Sequence, residues 1–170
     1  MKKCLLVYLF AWFYLSASAE DIIASFLDKH GKDDNLEIVT IGKKMMGSVC
    51  TLTSDNPNLA KAIKGLETIR IVSSKDQNVD KEYYQSAQSL LSKSKGLEEL
   101  FSMNEENKEL MVMIKKSKGN IKEIILLSEQ SDGFSLIAIS GKINLDDLVK
   151  YSDGLNIKEL NQLRSVKRNQ

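Results

Sequence analysis

The sequence predicts an α+β protein in which helices pack on an antiparallel or mixed sheet. Its C-terminal half contains four consecutive apolar, strand-like segments that are separated by short polar turns. The order helix, strand, helix, strand, helix precedes these four segments, and one helix follows them. Helix-rich and strand-rich parts that are segregated in this way are typical of α+β folds. A chain of 170 residues favours a single domain.

The first 19 residues have the features of a secretory signal peptide. Lys2 and Lys3 form a short positive region before the apolar run Leu5–Leu15, and Ala17–Ala19 supplies the small residues that a signal peptidase reads. The apolar run is about half of the roughly 20 residues that a spanning helix needs, which argues against a retained membrane anchor. We therefore expect an exported protein, periplasmic, in the cell envelope or extracellular.

The mature part, residues 20–170, is predicted to be one domain with almost balanced charge. Loss of the two leader lysines reduces the 24 basic residues to 22, against 23 acidic ones. A nucleic-acid partner would require a strong basic excess, so none is expected. Cys4 leaves with the leader and Cys50 remains alone, which excludes an internal disulfide framework. No second apolar segment of spanning length follows the leader.

The first mature elements are a helix, a strand and an ambiguous segment. Asp21–His30 places its apolar residues on one helical face, and Gly31 is a natural stop. Leu36–Ile41 is rich in β-branched residues and predicts a strand. Lys43–Leu52 has apolar residues at helical spacing, but Gly42 before it and Gly47 within it weaken that prediction.

Three further elements precede the C-terminal strands. Asn56 and Pro57 predict the start of a short helix that ends near Lys64. Thr68–Val72 alternates apolar and polar residues and predicts a strand with one buried face. Val79–Lys95 predicts the longest helix, which Gly96 ends. Its apolar stripe includes Tyr83, whereas the neighbouring Tyr84 falls beside the stripe and is a candidate partner contact.

The four C-terminal segments predict an antiparallel meander. They are Leu97–Met103, Glu109–Lys116, Ile121–Glu129 and Phe134–Gly141. Turns that contain Gly, Asn or Asp between apolar runs are a strong hairpin signal. The last three segments contain continuous apolar runs, and such runs indicate a sheet that is covered on both faces. Either helices of the same chain provide that cover, or one face meets a partner, a second copy or an apolar ligand.

The chain is predicted to end in one short helix and a polar tail. Asn144 and Asp147 resemble a capping box, with Asn144 as the N-cap of a helix that runs to about Ser152. Residues 156–170 could form one more helix, and the last polar and basic residues are expected to fray.

No residue is predicted to be catalytic, to bind a cofactor or to ligate a metal. His30 is the only histidine and lacks partners at fixed spacing, so a helix-end role is favoured. Cys50 is expected to be a buried apolar residue, with a reactive thiol or an intermolecular disulfide as the alternatives. The adjacent carboxylates Glu98–Glu99 and Asp146–Asp147 do not converge at a spacing of one, which favours strand-surface and helix-start roles.

Four segments resemble a known family. They are the leader, Ile41–Met46, Leu66–Ile71 and Ser140–Asp147. Together they are similar to small exported proteins from Bacteroidota that are catalogued as domain of unknown function 4252, and the resemblance covers nearly the whole mature chain. It implies an envelope or secreted location, and it carries no established activity and no functional residues.

These observations favour a non-enzymatic envelope protein that binds a protein partner, a second copy or a ligand through its sheet. Two alternatives stay open. One is an enzyme whose carboxylate, lysine and tyrosine residues converge only in three dimensions, which predicts a polar cleft lined by two or more carboxylates. The other is a carrier of lipid or another apolar ligand, which predicts an internal apolar cavity.

Overall fold

The structure is a computed structural model that describes residues 19–52, 60, 63–76, 78–106, 108–131 and 133–150. Its strands are β1 Glu37–Gly42, β2 Leu66–Ser74, β3 Glu98–Glu105, β4 Lys108–Ser117, β5 Asn120–Gln130 and β6 Gly133–Ile143. Its helices are α1 Ala19–His30, α2 Lys43–Leu52, α3 Asp80–Lys93 and α4 Leu145–Lys150. The predicted α+β class is confirmed, and the ambiguous segment before Leu52 is helical.

The six strands form one antiparallel sheet in the order β1-β2-β6-β5-β4-β3. The four C-terminal strands pair in sequence order, which confirms the meander. The two N-terminal strands add to its β6 edge, where Leu66 pairs with Gly141 and Ser74 with Phe134. β1 and β3 are therefore the two edges of the sheet.

One face of the sheet packs against α1 and α3. We call it the α1–α3 face, and its core contains Phe26 from α1, Tyr83 and Leu91 from α3, and Phe134 and Leu136 from β6. Phe26 and Phe134 stack with ring centroids 5.4 Å apart, and Tyr83 meets both rings. Burial of such large side chains supplies the main stabilisation of this layer.

The opposite face of the sheet is also buried. Its core contains Leu110 and Leu126 from the meander, both with no exposed surface, together with Met46 of α2 and Leu148 of α4. The continuous apolar runs of the meander are thus explained by cover on both faces within this chain. The described residues do not support the interpretation that one sheet face stays open for a partner. Among the same residues, no helix is long and apolar enough to cross a bilayer.

Most predicted element bounds agree with the structure to within two residues. Tyr84 is a correction, because it is only 3% exposed and lies inside the α1–α3 face rather than on the surface. Asn144 caps α4 as predicted, since its Oδ1 accepts a hydrogen bond from the Asp147 backbone N–H at 3.2 Å. The predicted signal peptide up to residue 18, most of the helix that starts at Asn56, and the tail from residue 151 lie outside the described residues.

Candidate functional site

His30 occupies the helix end that the sequence predicts, and it is buried there. It is 7% exposed and packs between the rings of Phe26 and Tyr83, at centroid distances of 4.9 and 5.2 Å. Its Nε2 lies 2.8 Å from Ser86 Oγ, which also accepts a hydrogen bond from Lys29 Nζ. Burial, assisted by the charge of Lys29, lowers the pKa of His30. The neutral ring therefore acts as a packing and hydrogen-bonding element that joins α1 to α3.

The adjacent carboxylates have the local roles that their spacing suggests. Glu98 pairs with Lys116 at 2.8 Å on the exposed surface of β3 and β4, and Glu99 accepts a hydrogen bond from Ser102. Asp147 lies in the first turn of α4. Cys50 falls in α2, and its side chain lies outside the described part of the chain.

A polar cleft of about 520 Å³ lies at one end of the α1–α3 face. We call it the acidic cleft, and its lining residues are Asp80, Lys81, Glu105, Glu106, Lys108, Glu109, Glu129, Gln130 and Ser131. It contains five carboxylates and two lysines. Its size falls within the range of small-molecule sites.

Two strands and one helix position the central carboxylates of the acidic cleft. Glu109 of β4 is directly opposite Glu129 of β5 in the antiparallel register. The hairpin begins at a two-residue turn of Lys118 and Gly119, whose φ values are 51° and 79°. A bulge between Lys115 and Lys116 then shifts the pairing by one residue, and this shift brings Glu109 opposite Glu129. Asp80 lies at the start of α3 over the same face of the sheet. Like charges directly opposite on neighbouring strands are destabilising, so packing alone does not explain this arrangement.

Asp80 is the most unusual residue of the cleft. It is 2% exposed, and neither of its carboxyl oxygens has a hydrogen-bond partner. Burial raises the pKa of Asp80, and the carboxylate of Asp76 adds to that rise. The Ser74 hydroxyl and the Phe134 backbone lie near enough to offset part of it, but without hydrogen-bonding geometry. Buried polar groups without partners are rare in native proteins, which makes this carboxyl a candidate functional group.

Two neighbouring ionisable groups, Glu129 and Tyr84, also have raised pKa values. Burial, followed by the Glu109 carboxylate, raises the pKa of Glu129, and Lys81 offsets part of that rise. Burial and the same Glu109 carboxylate raise the pKa of Tyr84 to about 12, so its hydroxyl stays protonated as a hydrogen-bond donor. Ionisable groups with shifted pKa values in one cleft are typical of functional sites.

The arrangement favours a bound cation that carries its own hydrogen-bond donors. Among the described residues, no three His, Cys, Asp or Glu side chains are arranged to hold a metal ion. An ammonium group has three N–H donors and could serve unpartnered carboxyl oxygens without a fixed coordination geometry. The acidic cleft can therefore offer charge and acceptors to an organic amine.

No local pattern in the sequence predicts this cleft directly, because its carboxylates are far apart along the chain. One indirect signal was present. The predicted strands that contain Glu109 and Glu129 are joined by a turn at Gly119, and a tight turn there places these two residues close to opposite each other. Nothing in the sequence marked Asp80, since a carboxylate in the first turn of a helix has an ordinary role at the positive helix end.

Comparison with known proteins identifies the class of the protein. A family model described as Domain of unknown function (DUF4252) matches residues 28–151, which cover the sheet and the helices α2, α3 and α4. The chain belongs to this family, and the resemblance predicted from the sequence is confirmed. No curated protein and no solved structure matches the chain.

Proposed function

We propose that this protein is an exported, non-enzymatic binding protein whose acidic cleft takes up an organic ligand that bears an ammonium group. The observation that carries the proposal is the Asp80 carboxyl, which is buried, unpartnered and part of the cleft lining. The leader described above supports export.

Charge favours a cationic ligand over a neutral one. Five carboxylates against two lysines leave the cleft with an excess of negative charge. Two unit charges 4 Å apart near a protein surface attract each other by about 4 kcal/mol, so an ammonium group would offset the repulsion between Glu109 and Glu129. A neutral ligand would leave that repulsion in place. Because the cleft is lined by polar side chains, it offers no support for a carrier of apolar ligands.

Calorimetric titration of the purified full chain tests the proposal. The probes are 1,4-diaminobutane and spermidine, with 1,4-butanediol as the neutral control of similar length. We expect binding of the amines that weakens with salt, and no binding of the diol. Asp80→Asn should weaken amine binding at least tenfold, a loss of about 1.4 kcal/mol. Glu67→Gln, which removes an exposed carboxylate of β2, should leave the affinity unchanged.

Two results would contradict the proposal. Equal binding of the diol would show that charge does not select the ligand. Unchanged amine affinity in Asp80→Asn would show that the buried carboxyl takes no part in binding.

A second candidate function is hydrolysis by general acid–base catalysis. The observation in its favour is that Asp80 and Glu129 have raised pKa values and line one cleft beside Lys81. A polar cleft with two or more carboxylates is what the enzyme hypothesis predicts. A screen of chromogenic ester, phosphoester and glycoside substrates tests it. Turnover that Glu129→Gln abolishes while amine binding persists would favour catalysis over binding alone.

A further inference from the structure

The two edges of the sheet differ in how they are protected. The β3 edge contains Glu98, Glu99 and Glu105, and its pairing with β4 is interrupted by a bulge after Glu99. Charged residues and bulges prevent an edge strand from pairing with another chain. The β3 edge is therefore unsuited to strand addition.

The β1 edge lacks both devices. Its six residues pair with β2 in an uninterrupted register, from Glu37 opposite Ser73 to Gly42 opposite Thr68. Ile38 and Val39 are 48% and 49% exposed, and Glu37 is the only charged residue of the strand. In an antiparallel ladder every second residue directs its N–H and C=O away from its partner, so this edge presents backbone groups and apolar side chains together.

We propose that β1 pairs with β1 of a second copy of this chain, in an antiparallel register centred on Thr40. The two sheets then join into one continuous twelve-stranded sheet, because each copy contributes its six strands. This register places Thr40 opposite Thr40 of the second copy and Val39 opposite its Ile41. Val39 and Ile41 lie on the same face of the strand, since successive side chains alternate. The pairing therefore covers apolar side chains that are exposed or half-buried in one copy.

Charge complementarity identifies the second copy as the occupant. The strand has a carboxylate at its start, Glu37, and the helix α2 begins directly after it with Lys43. The register centred on Thr40 places Glu37 beside the start of α2 of the second copy, where Lys43 lies, and the twofold symmetry repeats this proximity. The one charged residue of β1 therefore meets a residue of opposite charge from the second copy. Such self-complementarity is what an isologous interface requires.

The proposed interface is separate from the acidic cleft. None of the residues that line the cleft belongs to β1 or α2. Loss of the dimer should therefore leave amine binding intact, and loss of amine binding in Asp80→Asn should leave the dimer intact.

Sedimentation equilibrium of the purified full chain over a concentration series tests the interface. We expect the wild-type mass to double with concentration, and Val39→Lys to remain at the monomer mass throughout. Leu100→Lys is the matched control, because Leu100 is 41% exposed on the opposite edge strand and its substitution should leave the dimer intact. A monomeric wild type at every concentration, or a dimeric Val39→Lys, would overturn the proposal.

Charge reversal separates the ion pair from general effects on folding. Glu37→Lys and Lys43→Glu should each weaken the dimer. The double variant should restore it, because the two charges are exchanged and the ion pair forms again. Weakening that the double variant does not reverse would overturn the register.

Cross-linking tests the register directly. In a background that lacks both native cysteines (Cys4→Ser and Cys50→Ser), Thr40→Cys should form a disulfide-linked dimer upon oxidation, because the two copies of this residue face each other across the twofold axis. Val39→Cys should cross-link far less. Efficient cross-linking of Val39→Cys instead would place the axis one residue earlier and overturn the register proposed here.

Discussion

Asp80→Asn should stabilise the protein at neutral pH while it weakens ligand binding. The substitution keeps the size of the side chain and removes a charge that is 2% exposed and has no hydrogen-bond partner. A buried neutral polar group without a partner costs about 1–3 kcal/mol and a charged group costs more, so the amide is less unfavourable there than the carboxylate. Against this, a carboxylate in the first turn of α3 gains about 0.3–1 kcal/mol from the helix dipole.

Burial has the largest influence on this carboxylate. It raises the pKa of Asp80 above 3.8, and the Ser74 hydroxyl and the Phe134 backbone offset only part of that rise. We expect relief of this desolvation to exceed the lost dipole interaction, so the neutral amide should raise the free energy of unfolding by about 1 kcal/mol at pH 7. For a chain of this size, that gain corresponds to an increase in Tm of about 2–4 °C.

The sign of the pH dependence follows from the same shift. Because the native state holds the Asp80 proton more tightly than the unfolded state does, wild-type stability declines as pH rises from 3.8 through the raised native pKa. Asp80→Asn lacks this decline. The difference in Tm between variant and wild type should therefore be largest at neutral pH and shrink towards pH 4.

Thermal unfolding followed by circular dichroism between pH 4 and pH 8 measures this difference. Glu67→Gln removes an exposed carboxylate of β2 and should change stability by less than about 0.5 kcal/mol at every pH. A lower Tm of Asp80→Asn at pH 7, or a difference that does not vary with pH, would refute the reasoning. In either case the carboxylate would have a stabilising partner, and the argument for a ligand would lose its basis.

Three further predictions concern the core, the sheet and pH. Leu126→Ala should cost about 2–5 kcal/mol in chemical denaturation, because Leu126 has no exposed surface, whereas Leu100→Ala on the exposed edge should cost less than about 1 kcal/mol. Gly141→Ala should cost about 2 kcal/mol or more by the same measurement, since φ is 136° and a Cβ would meet the backbone of Gly65; an unchanged midpoint would refute this. The lowered pKa of His30 means that the native state binds the proton less readily than the unfolded state, so wild-type stability should fall as pH drops below 6.5. His30→Gln lacks this group, and its Tm should therefore decline less over the same pH range.

The meander could be predicted because its signals are local. Turns with Gly, Asn or Asp separate apolar runs, and the lack of alternation in residues such as Leu126 and Leu127 indicated cover on both faces. The position of β2 between β1 and β6 could not be predicted, because an isolated strand such as Leu66–Ser74 has no turn that specifies its neighbour. The helix α2 was ambiguous because Gly47 has low helix propensity, which tertiary packing of Met46 overrides.

The acidic cleft was beyond sequence reasoning for a related reason. Each of its carboxylates has an ordinary explanation where it stands, as a residue at a strand end or in the first turn of a helix. Only the packing of α3 over the ends of β4 and β5 brings Asp80, Glu109 and Glu129 together. Functional sites that depend on such convergence are where reasoning from local patterns is expected to fail.

The sheet order also determines when each part of the chain can reach its final neighbours. β3, β4 and β5 each pair with the next strand to emerge, so these hairpins can close locally and rapidly. β2 has to wait for β6, the last of the six described strands, and β1 can join this sheet only through its pairing with β2. Until then, the apolar segments Glu37–Gly42 and Leu66–Ser74 have no sheet to join. During synthesis of a chain with this topology, these two apolar segments therefore stay exposed longer than the meander strands. They are the segments that a chaperone would most usefully bind to prevent aggregation.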